Sequence, residues 1–245
     1  MTGVKSTAIV QLSGSSANTF SGGVTVTSGE LRLNKTAGVN AIAANSRIQI
    51  GTGSSRAVLR LAQSNQIADA GTILSFGGTG SNAGVFQMMG LSETVGAIES
   101  TGGAGIIENG NTSATSLSTL TVNHTTDHVF SGIMQNGAAG LLAFTKSGTG
   151  KLTLTGANTY TGATAIRGGV LELSGANGRI TGSSGILVTE NTVLRLTNAS
   201  GANNSDRLGS GVSILLSGST LDFSMMERPT TLKRSARCRS VQVPM

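Results

Sequence analysis

Apolar residues recur at every second position in short bursts along this chain, and clusters of glycine, serine and asparagine separate the bursts. This spacing puts apolar side chains on one face of an extended strand and polar side chains on the other. No window of about 12 residues keeps the i, i+3, i+4, i+7 spacing of an amphipathic helix. We therefore predict short strands and almost no helix. The bursts are Val24/Val26, Leu31/Leu33, Ile48/Ile50, Leu59/Leu61, Leu120/Val122, Leu152/Leu154, Leu171/Leu173, Leu194/Leu196 and Ile214/Leu216.

The segments between the bursts have the composition of tight corners. The chain contains 36 glycines, and Gly29, Gly169 and Gly218 lie at expected positive-φ corners. Both prolines, Pro229 and Pro244, lie near the C-terminal end. Their absence from the rest of the chain agrees with strands that are hydrogen-bonded on both edges.

Internal repeats show how such short strands gain partners. Residues 18–33 align without a gap onto residues 158–173, residues 58–61 match 193–196, and a partial copy lies at 130–132. Strands with two inward side chains do not make a stable sheet alone, whereas stacked coils supply a neighbour every ~4.8 Å. We predict an all-β parallel β-helix over residues 1–224, with about 8 to 11 coils of roughly 20 to 30 residues. A β-sandwich, which also uses short alternating strands, is the alternative.

The best-preserved repeat, residues 146–173, resembles the autotransporter-associated β-strand repeat, also called the passenger-associated transport repeat. A degraded copy at residues 10–33 has phenylalanine in place of the tyrosine. The positions that carry the resemblance are Lys146, Gly148, Gly150, Leu152, Leu154, Gly156, Asn158, Tyr160, Gly162, Thr164 and Ile166.

This resemblance implies a right-handed β-helical passenger domain of a Gram-negative surface or secreted protein. In that family a signal peptide precedes the passenger, and a C-terminal outer-membrane β-barrel translocates it. Neither is found in this sequence, so we expect an open-ended internal fragment that does not export itself.

Three alternate positions of the repeat are expected to pack and hydrogen-bond rather than to bind a ligand. An inward asparagine can bond the backbone of the bend, an aromatic ring can cover the edge of the core, and a glycine allows the tight turn. These structural positions are Asn158, Tyr160 and Gly162 in the better copy and Asn18, Phe20 and Gly22 in the earlier one.

The net charge of +6 comes largely from the C-terminal end. Residues 225–245 contain five cations and no glycine, so we predict a basic, disordered tail and hypothesise a frameshift product. Coding DNA near codon 224 with no frame that encodes Gly/Thr-rich alternation would refute that origin. A natural basic arm for nucleic acid or an anionic membrane is the alternative, but the scattered cations of residues 1–224 predict no nucleic-acid binding.

Candidate catalytic and metal-binding residues are sparse. His124 and His128 are four residues apart, and an extended chain would separate them by about 13 Å on one sheet face, so we predict no metal site. The acidic residues are spread along the chain, without the local carboxylate pair typical of glycoside hydrolysis. No catalytic residue and no cofactor is predicted.

Together these observations predict a non-enzymatic stalk or adhesive segment at the cell surface, at the outer membrane or in a secreted protein. The expected partners are a host glycan or matrix protein, or neighbouring β-helix segments. A carbohydrate-active β-helix enzyme is the second hypothesis, and a nucleic-acid binder that uses the basic tail is the third. Uncapped end coils would leave apolar surface exposed, which predicts aggregation.

Overall fold

A computed structural model describes residues 8–69, 71–101, 105–199 and 202–225. Within these ranges the chain forms 23 strands, numbered β1 to β23 in chain order, and every strand pairing is parallel. The described residues form no α-helix, and one 3-10 turn spans Gly80–Asn82. The parallel sheets stack as a β-solenoid of about nine turns. The prediction of a parallel β-helix is therefore confirmed, and the β-sandwich is wrong.

The strands lie on three faces, and from β7 onward the chain visits them in the order first, second and third. The first face contains β1 (Ile9–Gly14), β3 (Gly29–Lys35), β5 (Ala57–Leu61), β7 (Gly84–Gln87), β10 (Ile106–Glu108) and β13 (Ile133–Gln135), continued by β16 (Ala157–Asn158) and β19 (Arg179–Ile180). The second face contains β8 (Glu93–Val95), β11 (Leu117–Asn123), β14 (Leu141–Ser147), β17 (Thr164–Ile166), β20 (Ile186–Val188) and β22 (Ile214–Leu216).

The third face runs nearly the full length of the stack. It contains β2 (Val24–Val26), β4 (Arg47–Ile50), β6 (Ile73–Phe76), β9 (Ala97–Ser100), β12 (His128–Phe130), β15 (Lys151–Leu154), β18 (Val170–Leu173), β21 (Val193–Asn198) and β23 (Thr220–Met225). Nine strands at ~4.8 Å spacing give a stack of roughly 40 Å.

The residue offset between paired strands gives the length of each coil. The shortest offset is 19 residues, between Lys151 and Val170, and the longest is 28, as between Glu30 and Val58. Varying offsets keep equivalent side chains aligned because the extra residues lie in corners and loops. The corner glycines have the positive φ that the sequence predicted, with values of 72° at Gly29 and 61° at Gly169.

Apolar ladders fill the interior of the solenoid. On the first face Leu31 pairs with Leu59, which pairs with Phe86, and all three are buried. Side chains of this size each stabilise the fold by about 1.5–3 kcal/mol when fully buried. Because every ladder runs parallel to the solenoid axis, each coil packs mainly against the coils before and after it.

Both ends of the described stack expose residues of these ladders. Val10 in β1 pairs with buried Leu31 but is itself 60% exposed, and Phe223 in β23 pairs with buried Leu196 but is 53% exposed. β23 extends to Met225, the first residue of the predicted tail. Residues 226–245 lie outside the described residues, so the hypotheses on the tail stay predictions.

Candidate functional site

The segment 144–173 carries a lysine that points into the apolar core. Lys146 lies in register between Val122 and Ile166 and has no exposed surface. Burial lowers the pKa of its ammonium group to about 8, because desolvation disfavours the charged form. Its Nζ donates to the carbonyls of Ser147 at 2.7 Å, Gly148 at 3.0 Å and Gly168 at 3.1 Å. The lysine therefore joins the corners of two successive coils.

Tyr160 is the largest fully buried side chain of the described residues. Its hydroxyl lies 2.7 Å from Thr164 Oγ1, which lies 2.9 Å from Ser183 Oγ on the next coil. Burial raises the pKa of the phenol. The ring centroid is 6.4 Å from that of Phe144. Tyr160 thus contributes both packing and a buried hydroxyl network to the core.

Asn158 and Gly162 connect this repeat to the coils on either side. Asn158 Oδ1 accepts the Met134 N–H at 2.9 Å, and its Nδ2 donates to the Arg179 carbonyl at 3.0 Å. Gly162 packs so closely on the Leu142 carbonyl that a Cβ would clash with it. In this repeat the asparagine, the tyrosine and the glycine all contact protein.

The earlier copy of the repeat makes fewer of these contacts. Asn18 Nδ2 donates to the Ala41 carbonyl at 2.9 Å, as an inward asparagine should. Phe20, however, is 38% exposed, and a Cβ added at Gly22 would meet nothing within 4 Å. The prediction that Phe20 and Gly22 pack like Tyr160 and Gly162 differs from the structure. Both residues lie between β1 and β2, in the first described coil, and no described strand pairs with the outer edge of that coil.

A buried carboxyl group on the second face was missed by sequence analysis. Glu93 points inward, and its oxygens accept the Gln66 N–H at 2.8 Å and the Ile67 N–H at 3.3 Å. Desolvation raises its pKa to about 8 even though these N–H donors oppose the shift. Nothing in the local sequence marks this glutamate, because its partners lie one coil earlier.

Comparison with known proteins agrees with this geometry. Residues 7–33 and 144–173 match the passenger-associated-transport-repeat family. This chain carries two copies of the passenger-associated transport repeat. No curated protein and no solved structure matches the chain.

The two copies of the passenger-associated transport repeat differ in their position in the stack. The second copy covers β14 to β18 and has coils paired on both sides, whereas the first covers β1 to β3 at one end of the described stack. The copy that keeps the repeat pattern more closely therefore lies where coils are paired on both of its sides.

The histidine pair lies at a corner between the second and third faces. The ring centroids of His124 and His128 are 5.3 Å apart, edge to face, so the predicted separation of about 13 Å is wrong. The chain bends between β11 and β12, which folds the two rings together. His124 Nδ1 donates to the Thr126 carbonyl at 2.5 Å, and burial lowers the pKa of this ring to about 4.

Acidic side chains on the outer faces are held by partners from other coils. Glu108 accepts from Gln87 and Gln135, both at 2.8 Å, while Glu172 pairs with Lys151 at 3.3 Å and Asp222 with Arg195 at 2.9 Å. Hydrogen bonds from Thr197 and Thr153, together with Lys151, lower the pKa of Glu172 against the opposing effect of burial. These carboxylates brace neighbouring coils instead of converging as an acid–base pair.

Metal-ligand clusters and membrane-spanning helices are both absent from the described residues. No three His, Cys, Asp or Glu side chains are grouped there as metal ligands. The described ranges also contain no helix that is long and apolar enough to cross a membrane.

Proposed function

We propose that this chain is a segment of an autotransporter-type passenger domain, placed at the cell surface or secreted, and that it acts as a rigid stalk or adhesive surface. The observation that carries the proposal is the continuity of the stack. The matched segment 144–173 joins its neighbours through the same parallel ladders that build every other coil. Coils that template one another suit a chain that folds progressively as it emerges from a membrane.

The outer faces support a recognition role for the same rod. The first face presents a registered polar row whose members are partly exposed, and such planar polar groups are suited to hydroxyl-rich or peptide ligands. We propose a host glycan or matrix protein, or a neighbouring β-helix segment, as the partner. The row consists of Arg32, Arg60, Gln87, Glu108 and Gln135.

Surface display tests the passenger assignment. The 245-residue chain would replace the passenger between the signal peptide and barrel of an unrelated autotransporter, and antibody and added protease would detect it on intact cells. We expect protease-accessible surface display. Retention inside the cells, while the carrier displays its own passenger, would contradict the proposal.

Ligand binding tests the adhesive role separately. The purified chain would be applied to arrays of host glycans and matrix proteins, with the double variant Arg32→Gln and Arg60→Gln as the test of the first face. The expected result is binding without turnover that the double variant weakens. Release of unsaturated sugars would instead favour the hypothesis of a carbohydrate-active enzyme. The carboxylates described above do not form a pair that would support this hypothesis.

A further inference from the structure

The side chains of Glu99, His128 and Thr126 form a hydrogen-bonded chain beside the histidine corner, and Glu99 comes from the preceding coil. Glu99 Oε2 lies 3.3 Å from His128 Nδ1, and His128 Nε2 lies 3.0 Å from Thr126 Oγ1. Thr126 is exposed on the bend between β11 and β12. A carboxylate, an imidazole and a hydroxyl therefore follow one another in the order found in nucleophile–base–acid triads.

The partners of Glu99 fix the orientation of this chain. Its Oε1 accepts from Arg47 and from Ser75 Oγ, which leaves Oε2 facing the imidazole. A carboxylate only accepts, so Nδ1 of His128 carries the proton and Nε2 keeps its lone pair. That lone pair accepts the Thr126 O–H, which is the arrangement that activates a hydroxyl as a nucleophile.

The other titratable groups around His128 do not compete for this lone pair. His124 packs edge to face against it and bonds the Thr126 carbonyl through its own Nδ1. Asp127 precedes it in the chain and accepts the Lys151 N–H at 2.9 Å. Arg47 reaches the imidazole only through Glu99.

We propose that Thr126 is an acyl-acceptor site, activated by His128 as general base and by Glu99 as positioning residue. The substrate class is an activated carboxylic ester. The Thr126 oxygen forms a bond to the acyl carbon, and the bond from that carbon to the leaving oxygen breaks. His128 takes the hydroxyl proton and passes it to the leaving alcoholate, which leaves an ester on Thr126. This site lies beyond the proposed function and does not rest on it.

Labelling with p-nitrophenyl acetate tests the site on the 245-residue chain. We expect release of p-nitrophenolate together with one added acetyl group, mapped to Thr126 by peptide mass spectrometry. Thr126→Val should abolish the label, whereas the matched control Thr125→Val, on the same bend, should keep it. His128→Gln should slow acetylation by about 100-fold, as removal of a general base does.

The role of Glu99 is tested by a measurement that a loss of fold stability would not change. Glu99→Gln should shift the pH profile of acetylation and lower its rate, while circular dichroism stays unchanged and Glu99→Asp restores part of the rate. A label spread over several hydroxyls, or a Thr126 label indifferent to His128→Gln, would overturn the proposal. Release of p-nitrophenolate that persists in the Thr126→Val variant would also overturn the proposal, because the imidazole alone would then carry out the reaction.

Discussion

Equivalent repeat positions have different environments at the level of single residues. Tyr160 is 1% exposed and hydrogen-bonded to Thr164, whereas Phe20, its counterpart in the first copy, is 38% exposed. The side chains are similar in size, so coverage by adjacent coils makes the difference. A repeat motif therefore specifies where a side chain points but not how deeply it is buried.

The two aromatic residues should respond unequally to truncation. Tyr160→Ala removes a buried ring and should lower the free energy of unfolding by about 3–5 kcal/mol. Phe20→Ala removes a partly exposed ring and should cost about 1 kcal/mol or less. Urea unfolding of both variants measures the difference, and equal losses would contradict the burial of the two sites.

Glu93 should make stability depend on pH. Its folded pKa of about 8 lies above the ordinary value of 4.5, so the folded protein holds a proton that the unfolded chain releases. The resulting stability is fully present below about pH 4.5 and is lost as pH rises to about 8. Over that window we expect a loss on the order of a few kcal/mol.

Glu93→Gln, which mimics the protonated form, should flatten this pH profile, and the exposed Glu190→Gln is the matched control that should not. Unfolding free energies at pH 5 and pH 8 give the measurement. A profile unchanged by Glu93→Gln would show that the carboxyl group is not the source.

Contacts between neighbouring strands determine where a strand or corner can accept a larger side chain. Where the start of β17 approaches β14, Gly162 donates its N–H to the Leu142 carbonyl at 2.9 Å and has no room for a side chain. Gly22, the same motif position, has open space around it. Close stacking of one coil on another, and not the turn alone, explains the glycine of the second copy.

Alanine substitutions at Gly162 and Gly22 should distinguish the effect of close coil stacking from the effect of the turn. Gly162→Ala forces β14 and β17 apart and should destabilise the protein by more than about 1 kcal/mol. Gly22→Ala only restricts the unfolded chain and should be neutral or stabilising by about 0.4–1 kcal/mol. Thermal unfolding of the pair provides the comparison, and a neutral Gly162→Ala would count against the close approach.

At the scale of the described stack, coils pack along one axis, and we expect the stack to be least stable at its two ends. Inner coils have neighbours on both sides, while Val10 and Phe223 leave ladder positions uncovered. Exposed strand edges and apolar ends favour association between copies of the chain.

We expect the purified chain to self-associate through these ends. Phe223→Lys should reduce association, because it puts a charge on an exposed end of the ladder. Val129→Lys is the control, since Val129 is equally exposed at 52% but lies on the side of the rod. Light scattering at high concentration gives the readout, and a monodisperse monomer for the unmodified chain would contradict the prediction.

The sequence by itself determined the strand period, the glycine corners and the solenoid class. These features are local: alternation assigns a side chain to the core or to solvent, and the positive φ of a corner glycine such as Gly169 belongs to that residue's own backbone. The gapless repeat then required that equivalent strands stack. The passenger-associated transport repeat at residues 146–173 was recognisable from the sequence because its pattern is also local.

Only the tertiary structure decided which side chains from different coils meet. Glu99 reaches His128 across 29 residues because coil lengths vary and the register between coils sets the contact. The bend after β11 brought together two histidines that an extended strand would separate, and the depth of Glu93 depends on the coil before it. Such contacts are long-range in sequence, since they follow from stacking and not from local alternation.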